Sequence, residues 1–122
     1  MSLSKEYSDC IIVGDFNHPH ITWTPAVNSN YFLPSSKFHR RDHPDNLFIE
    51  CMRDSFLYQL VDEPTRYRLK LHGKEKRIQQ PTIDDLILTS NPVLIENINY
   101  NMHLGGSDHL CLAFTADLDY ES

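Results

Sequence analysis

The chain has 122 residues, 40% of them hydrophobic and 23% charged, with a net charge of −6. These figures are those of an ordered globular chain, no segment approaches the roughly 18 consecutive apolar residues of a membrane span, and the charge argues against a surface built wholly for nucleic acid. One domain, or part of one, is the expected scale.

The opening "MSLSKEYSD" lacks an apolar signal core, so an intracellular chain is expected. "DCIIVG", residues 9–14, is a continuous apolar run and reads as a strand buried on both faces. Residues 17–44 hold Pro19, Pro25, Pro34 and Pro44 among Asn and Ser, which predicts a long irregular connection of functional type. A helix is expected to start at Pro44-Asp45, with Leu47, Phe48, Cys51, Met52 and Ser55/Phe56 tracing one apolar face. "FLYQLV" returns to strand character, and "RYRLKL" alternates basic and apolar residues. A turn at His72-Gly73-Lys74 leads to a returning strand in "KRIQQP". "DDLILTS", "ENINYNMH" and "HLCLAFTA" complete a series of short strands. Many strands and one or two helices define an α+β class with packed sheets.

Cys10, Cys51 and Cys111 are odd in number, widely spaced and set among apolar residues, so buried free thiols are expected. Charge is unevenly placed. Residues 66–77, "RYRLKLHGKEKR", hold six of the eleven Lys and Arg with only Glu75 opposing them. That segment carries +5 and the remainder −11.

Three strand ends carry chemistry. Asp15 and Asn17 follow the first strand two residues apart, which in extended chain places both on one face. An acid and an amide so placed suit a metal-bound water or a phosphate oxygen, although an Asx turn explains them equally well. Asp85 opens an apolar strand, where a carboxylate can orient a histidine or, with Asp84, simply start a solvated strand. In "GGSDHLCLAF", Gly105-Gly106 lead to Ser107, Asp108 and His109 at a strand mouth, either a proton-transfer site or a polar cap. Ser107 lies in no G-x-S-x-G elbow, which excludes a serine hydrolase of that kind. Trp23 reads as packing, and His18, His20, His39 and His43 as solvated loop residues rather than a metal set. As a set, the three sites fit metal-assisted phosphodiester hydrolysis.

"GDFN", "DLILTS" and "GGSDH", in this order, resemble the endonuclease/exonuclease/phosphatase superfamily. With "GDFNHPHITW" and "FLYQLVDEPTR" added, the chain is similar over about residues 9–116 to the endonuclease domain of non-LTR retrotransposon polyproteins, which also carry a reverse transcriptase. The resemblance implies half of a two-sheet β-sandwich with flanking helices, residues 1–122 forming a single partial domain. It also implies Mg²⁺, with Mn²⁺ as the alternative. By that pattern Asp15 orients or deprotonates water, Asn17 holds water or phosphate, and His109 stabilises the transition state or protonates the leaving oxygen. Asp85 orients His109, Asp108 joins Asp15 in the metal region, and Ser107 and Thr65 belong to the phosphate-binding surface. Arg66, Arg68 and Lys70 fall where the family's hairpin contacts DNA, the alternative being a solvated edge hairpin.

Two departures stand out. The family's early-strand Asn and metal-binding Glu precede the matched region, and Asp84 stands where relatives usually carry an apolar residue. The expected activity is DNA nicking in the nucleus. The expected partners are DNA, the preceding half-domain or a reverse transcriptase, and a second copy meeting an exposed sheet face. The alternatives are a non-catalytic remnant that binds nucleic acid or another chain, and a phosphatase acting on a phospholipid or inositol phosphate.

Overall fold

The computed structural model describes residues 9–66, 69–78, 81–101 and 111–117. In chain order the elements are β1 (Ile11–Asp15), β2 (Thr22–Pro25), β3 (Phe32–Ser35), α1 (Pro44–Asp54) and β4 (Tyr58–Gln59). They continue with β5 (Leu69–His72), β6 (Glu75–Ile78), β7 (Asp85–Thr89), β8 (Ile95–Asn101) and β9 (Cys111–Ala116). A five-stranded sheet has the order β1-β7-β4-β3-β2, and β5–β6 and β8–β9 form two-stranded ribbons. This is a mostly β chain with one α-helix among the described residues, compatible with the α+β class. That helix is not long and apolar enough to cross a membrane.

β7 organises the interior. Alternation sends Leu86 and Leu88 to the side where Met52 of α1 packs with Phe48 and Trp23. Ile87 faces the other side, joining Leu60, Val61 and Ile95 with Ile98, Tyr100, Leu112 and Phe114 from the β8–β9 ribbon. A helix layer thus covers one face of the sheet and a β-ribbon the other, so β7 is the strand buried on both faces. The sequence assigned that role to the β1 run. Among the described residues β1 instead lies at the sheet edge, beside β7 alone, and Ile12 and Val13 are 41% and 54% exposed.

The 17–44 segment is less irregular than its prolines predict, because β2 and β3 form a hairpin inside it. Pro34 is tolerated because it lies beyond the single residue pair, Phe32 with Gln59, that joins β3 to β4. β4 is shorter than "FLYQLV" suggests. The Gln59 side-chain amide accepts from the Val61 N–H and donates to the Val61 carbonyl, taking the groups that would extend the ladder. Farther along, the Tyr100 hydroxyl donates to Asp62 at 2.6 Å, and burial pushes its ionisation above the usual tyrosine range. The β5–β6 hairpin turns at Gly73-Lys74, as expected, with Gly73 at φ +66°.

α1 starts where expected, with Pro44 in its first turn and the His43 side chain accepting from the Asp45 N–H. Its buried face is rotated from the expected one. Asp45, Ile49 and Met52 turn inward, while Leu47 is half exposed and Cys51 is exposed. The Cys10 thiol is exposed as well, so the expectation of buried thiols fails at both positions described. The helix ends in a Schellman motif, the Leu57 N–H bonding the Met52 carbonyl and the Phe56 N–H the Arg53 carbonyl. Phe56 therefore holds φ +54°, a position that favours glycine, with its ring 75% exposed. Phe56→Gly is expected to raise the stability by about 1 kcal/mol, because it relieves the backbone and gives up little burial. An unchanged or lowered urea midpoint would contradict that.

Candidate active site

Asp15 ends β1 and Asp85 begins β7, and the antiparallel register pairs the two directly. The Phe16 N–H bonds the Asp84 carbonyl at 3.0 Å, which makes Asp15 and Asp85 the closer, non-hydrogen-bonded kind of pair. Directly opposed residues share a face, so two carboxylates meet where the sheet opens to solvent. Like charges placed this way destabilise a sheet. Asp15 is exposed and Asp85 half-buried, so both can reach a ligand.

Asn17 does not continue the strand. Its φ of +52° breaks the alternation assumed from its spacing, and its N–H donates to Asp15 Oδ1 at 2.9 Å. The loop is therefore an Asx turn, and it fixes the Asp15 carboxylate while leaving that acid at the rim.

Asp85 is held from behind by Thr65. This threonine is fully buried, and its hydroxyl accepts the N–H groups of Asp84 and Asp85 at 3.1 and 3.0 Å. Thr65 was expected on the phosphate-binding surface. It is instead buried, as a clamp on the strand that carries Asp85.

Arg66 differs in a related way. Arg66 forms an isolated bridge with Thr82, and Lys70 lies in β5. The Arg66 guanidinium lies 3.3 Å from Asp84, whose side chain is fully buried and whose other oxygen has no partner among the described residues. Asp84 is thus no solvated strand start. It occupies an interior position, in keeping with the apolar residue usual there, and Arg66 neutralises it. Lys70 stands opposite Arg77 in the hairpin register. Arg68, Ser107, Asp108 and His109 lie outside the described residues.

Beside the Asx turn is a feature that loop composition did not reveal. His18 Nδ1 donates to Asp45 Oδ1 at 2.8 Å, and its ring stacks on Phe48 at 4.5 Å. Asp45 in turn lies in the first turn of α1, where the helix dipole favours an anion. The only signal in the sequence was an acid just after Pro44 that had to be buried against something. His43 stacks on Phe38 at 3.6 Å. These histidines knit the loop to α1, whereas the sequence left them solvated.

Mg²⁺ takes one or two carboxylates and keeps several waters, so the exposed carboxylate of Asp15 suits it in kind. No group of three or more His, Cys, Asp or Glu able to hold a metal occurs among the described residues.

Two strand-end carboxylates thus stand side by side at a sheet edge, the second on a strand braced by a buried threonine. A family model described as endonuclease-reverse transcriptase matches residues 1–113, and the chain belongs to that family. No curated protein matches the chain, and no solved structure does.

Proposed function

We propose that the chain is a metal-dependent endonuclease of the retrotransposon type that nicks nuclear DNA, on a partial endonuclease/exonuclease/phosphatase fold. The observation that carries this reading is the direct pairing of Asp15 with Asp85, which brings two of the expected catalytic acids to one face at the open end of the sheet. Mg²⁺, or Mn²⁺ in its place, would be held by Asp15 with Asp108 and would supply charge neutralisation at the phosphate. Asp15 takes the proton of the attacking water as its oxygen bonds phosphorus. Asn17 holds a phosphate oxygen. His109, oriented by Asp85, gives a proton to the leaving oxygen as the phosphorus–oxygen bond breaks. Ser107 contacts the phosphate, and Arg68 and Lys70 of the hairpin region hold the DNA backbone.

The exposed Ile12 and Val13 on β1 favour a second reading, a non-catalytic chain that binds DNA and pairs its sheet edge with another chain. Incubating the purified chain with supercoiled plasmid separates the two. Open-circle product that requires Mg²⁺ and is lost in His109→Ala supports the endonuclease. Duplex binding without cutting by either form supports the second reading. Neither binding nor cutting overturns both.

A further inference from the structure

Three of the eleven cations fall outside the hairpin and within five residues of one another, in "KFHRR" at 37–41. Lys37, Arg40 and Arg41 are all exposed, the two arginine side chains to 80% and 91%. Exposed cations on a loop are ordinarily just solvated, and two further facts set these apart. The backbone beneath them is pinned, because Asn46 Nδ2 in the first turns of α1 donates to the carbonyls of Phe38 and Arg40 at 3.0 and 2.6 Å. The segment is also joined to the Asx turn by consecutive contacts. His18 follows Asn17 and bonds Asp45, the Asp45 N–H bonds His43, and His43 stacks on Phe38. Lys37 holds its ammonium 5.3 Å from the Phe38 ring centroid, and the His20 ring meets the edge of that ring at 6.2 Å.

The acids nearby do not consume this charge. Arg40 makes two bonds to Asp42, at 3.1 and 2.9 Å, and Arg41 lies 3.8 Å from Glu50. Both pairs are open to solvent, so a phosphate can compete with either carboxylate for its guanidinium. We infer that Lys37, Arg40 and Arg41 form a second DNA-backbone contact surface, separate from the β5–β6 hairpin and rigidly coupled to the catalytic loop through Phe38, His43, Asp45 and His18. The inference rests on the endonuclease reading and adds to it a phosphate-binding arm with no base readout. A pinned cationic segment suits that task, since less ordering is lost on binding.

The test is titration of a labelled 20-base-pair DNA duplex with the full chain in EDTA, across a series of NaCl concentrations. The wild type is compared with a triple Lys37→Ala, Arg40→Ala, Arg41→Ala variant. Three lost phosphate contacts should lower the slope of log affinity against log salt by about 2 to 3. The hairpin variant Lys70→Ala should lower it independently, so that the combined losses add. Equal melting temperatures of the triple variant and the wild type would show that the fold is intact, as expected for exposed side chains. DNA binding by the wild type with an unchanged slope in the triple variant overturns the second surface alone. A slope change confined to duplex RNA of the same sequence overturns the choice of DNA. No DNA binding by the wild type removes the endonuclease reading, and this surface with it.

Discussion

Asp85→Asn is expected to cut the plasmid-nicking rate by roughly 10²–10⁴-fold and, at the same time, to make the metal-free chain more stable. The two effects share one cause. Asp15 and Asp85 are direct cross-strand neighbours at the open end of the sheet. Neutralising either one relieves a repulsion of roughly 0.2–1 kcal/mol, the range for such pairs. Asp15→Asn should behave alike. Mg²⁺ should raise the melting temperature of the wild type by mass action and raise that of either variant less. The diagnostic pattern is therefore a more stable, inactive protein that has lost its thermal response to Mg²⁺. A destabilised Asp85→Asn variant would mean that the carboxylate is held for the fold, and the assignment of the pair as a working site would fail.

Arg66→Met is expected to destabilise the chain by about 2 to 4 kcal/mol, measured as a fall in the urea midpoint at constant slope. The guanidinium is the partner of a fully buried Asp84 carboxylate, and its loss leaves that charge with no compensation. Asp84→Leu should be close to neutral or stabilising. It places an apolar side chain in an interior position, while Arg66, 22% exposed, can turn its head toward water. The double variant should recover most of what Arg66→Met loses, giving a coupling energy of the same order. An Arg66→Met midpoint within 0.5 kcal/mol of the wild type would mean that the pair contributes nothing.

Local pattern made much of the secondary structure legible. The β5–β6 hairpin, α1 from Pro44, β7, β8 and β9 all carry their signatures within a dozen residues. What was not legible depends on which element lies beside which. A continuous apolar run does not say whether its strand is central or at an edge, so β1 and β7 read alike although only β7 is covered on both sides. The helix face was misjudged for a similar reason. Leu47 and Cys51 are apolar enough to be buried, but the sheet meets the flank that carries Ile49 and Met52. At the site, the positions of Asp15 and Asp85 followed from strand boundaries, whereas their pairing required a register between segments far apart in the chain. Thr65 and Asp84 were harder still. A polar residue in an interior position looks like a surface residue until its buried partner is known.

The same register has a kinetic consequence. β2–β3, β5–β6 and β8–β9 each close over short stretches of chain, but the backbone of Cys10 bonds Ser90 across a separation of 80 residues. Contacts of that span form slowly, because the entropy of closing so long a loop is lost before any pairing returns it. The hairpins and α1 should therefore gain protection early during refolding, and the amides of β1 and β7 late. The chain would then pass through a stage in which every local element exists but Asp15 and Asp85 have not yet met.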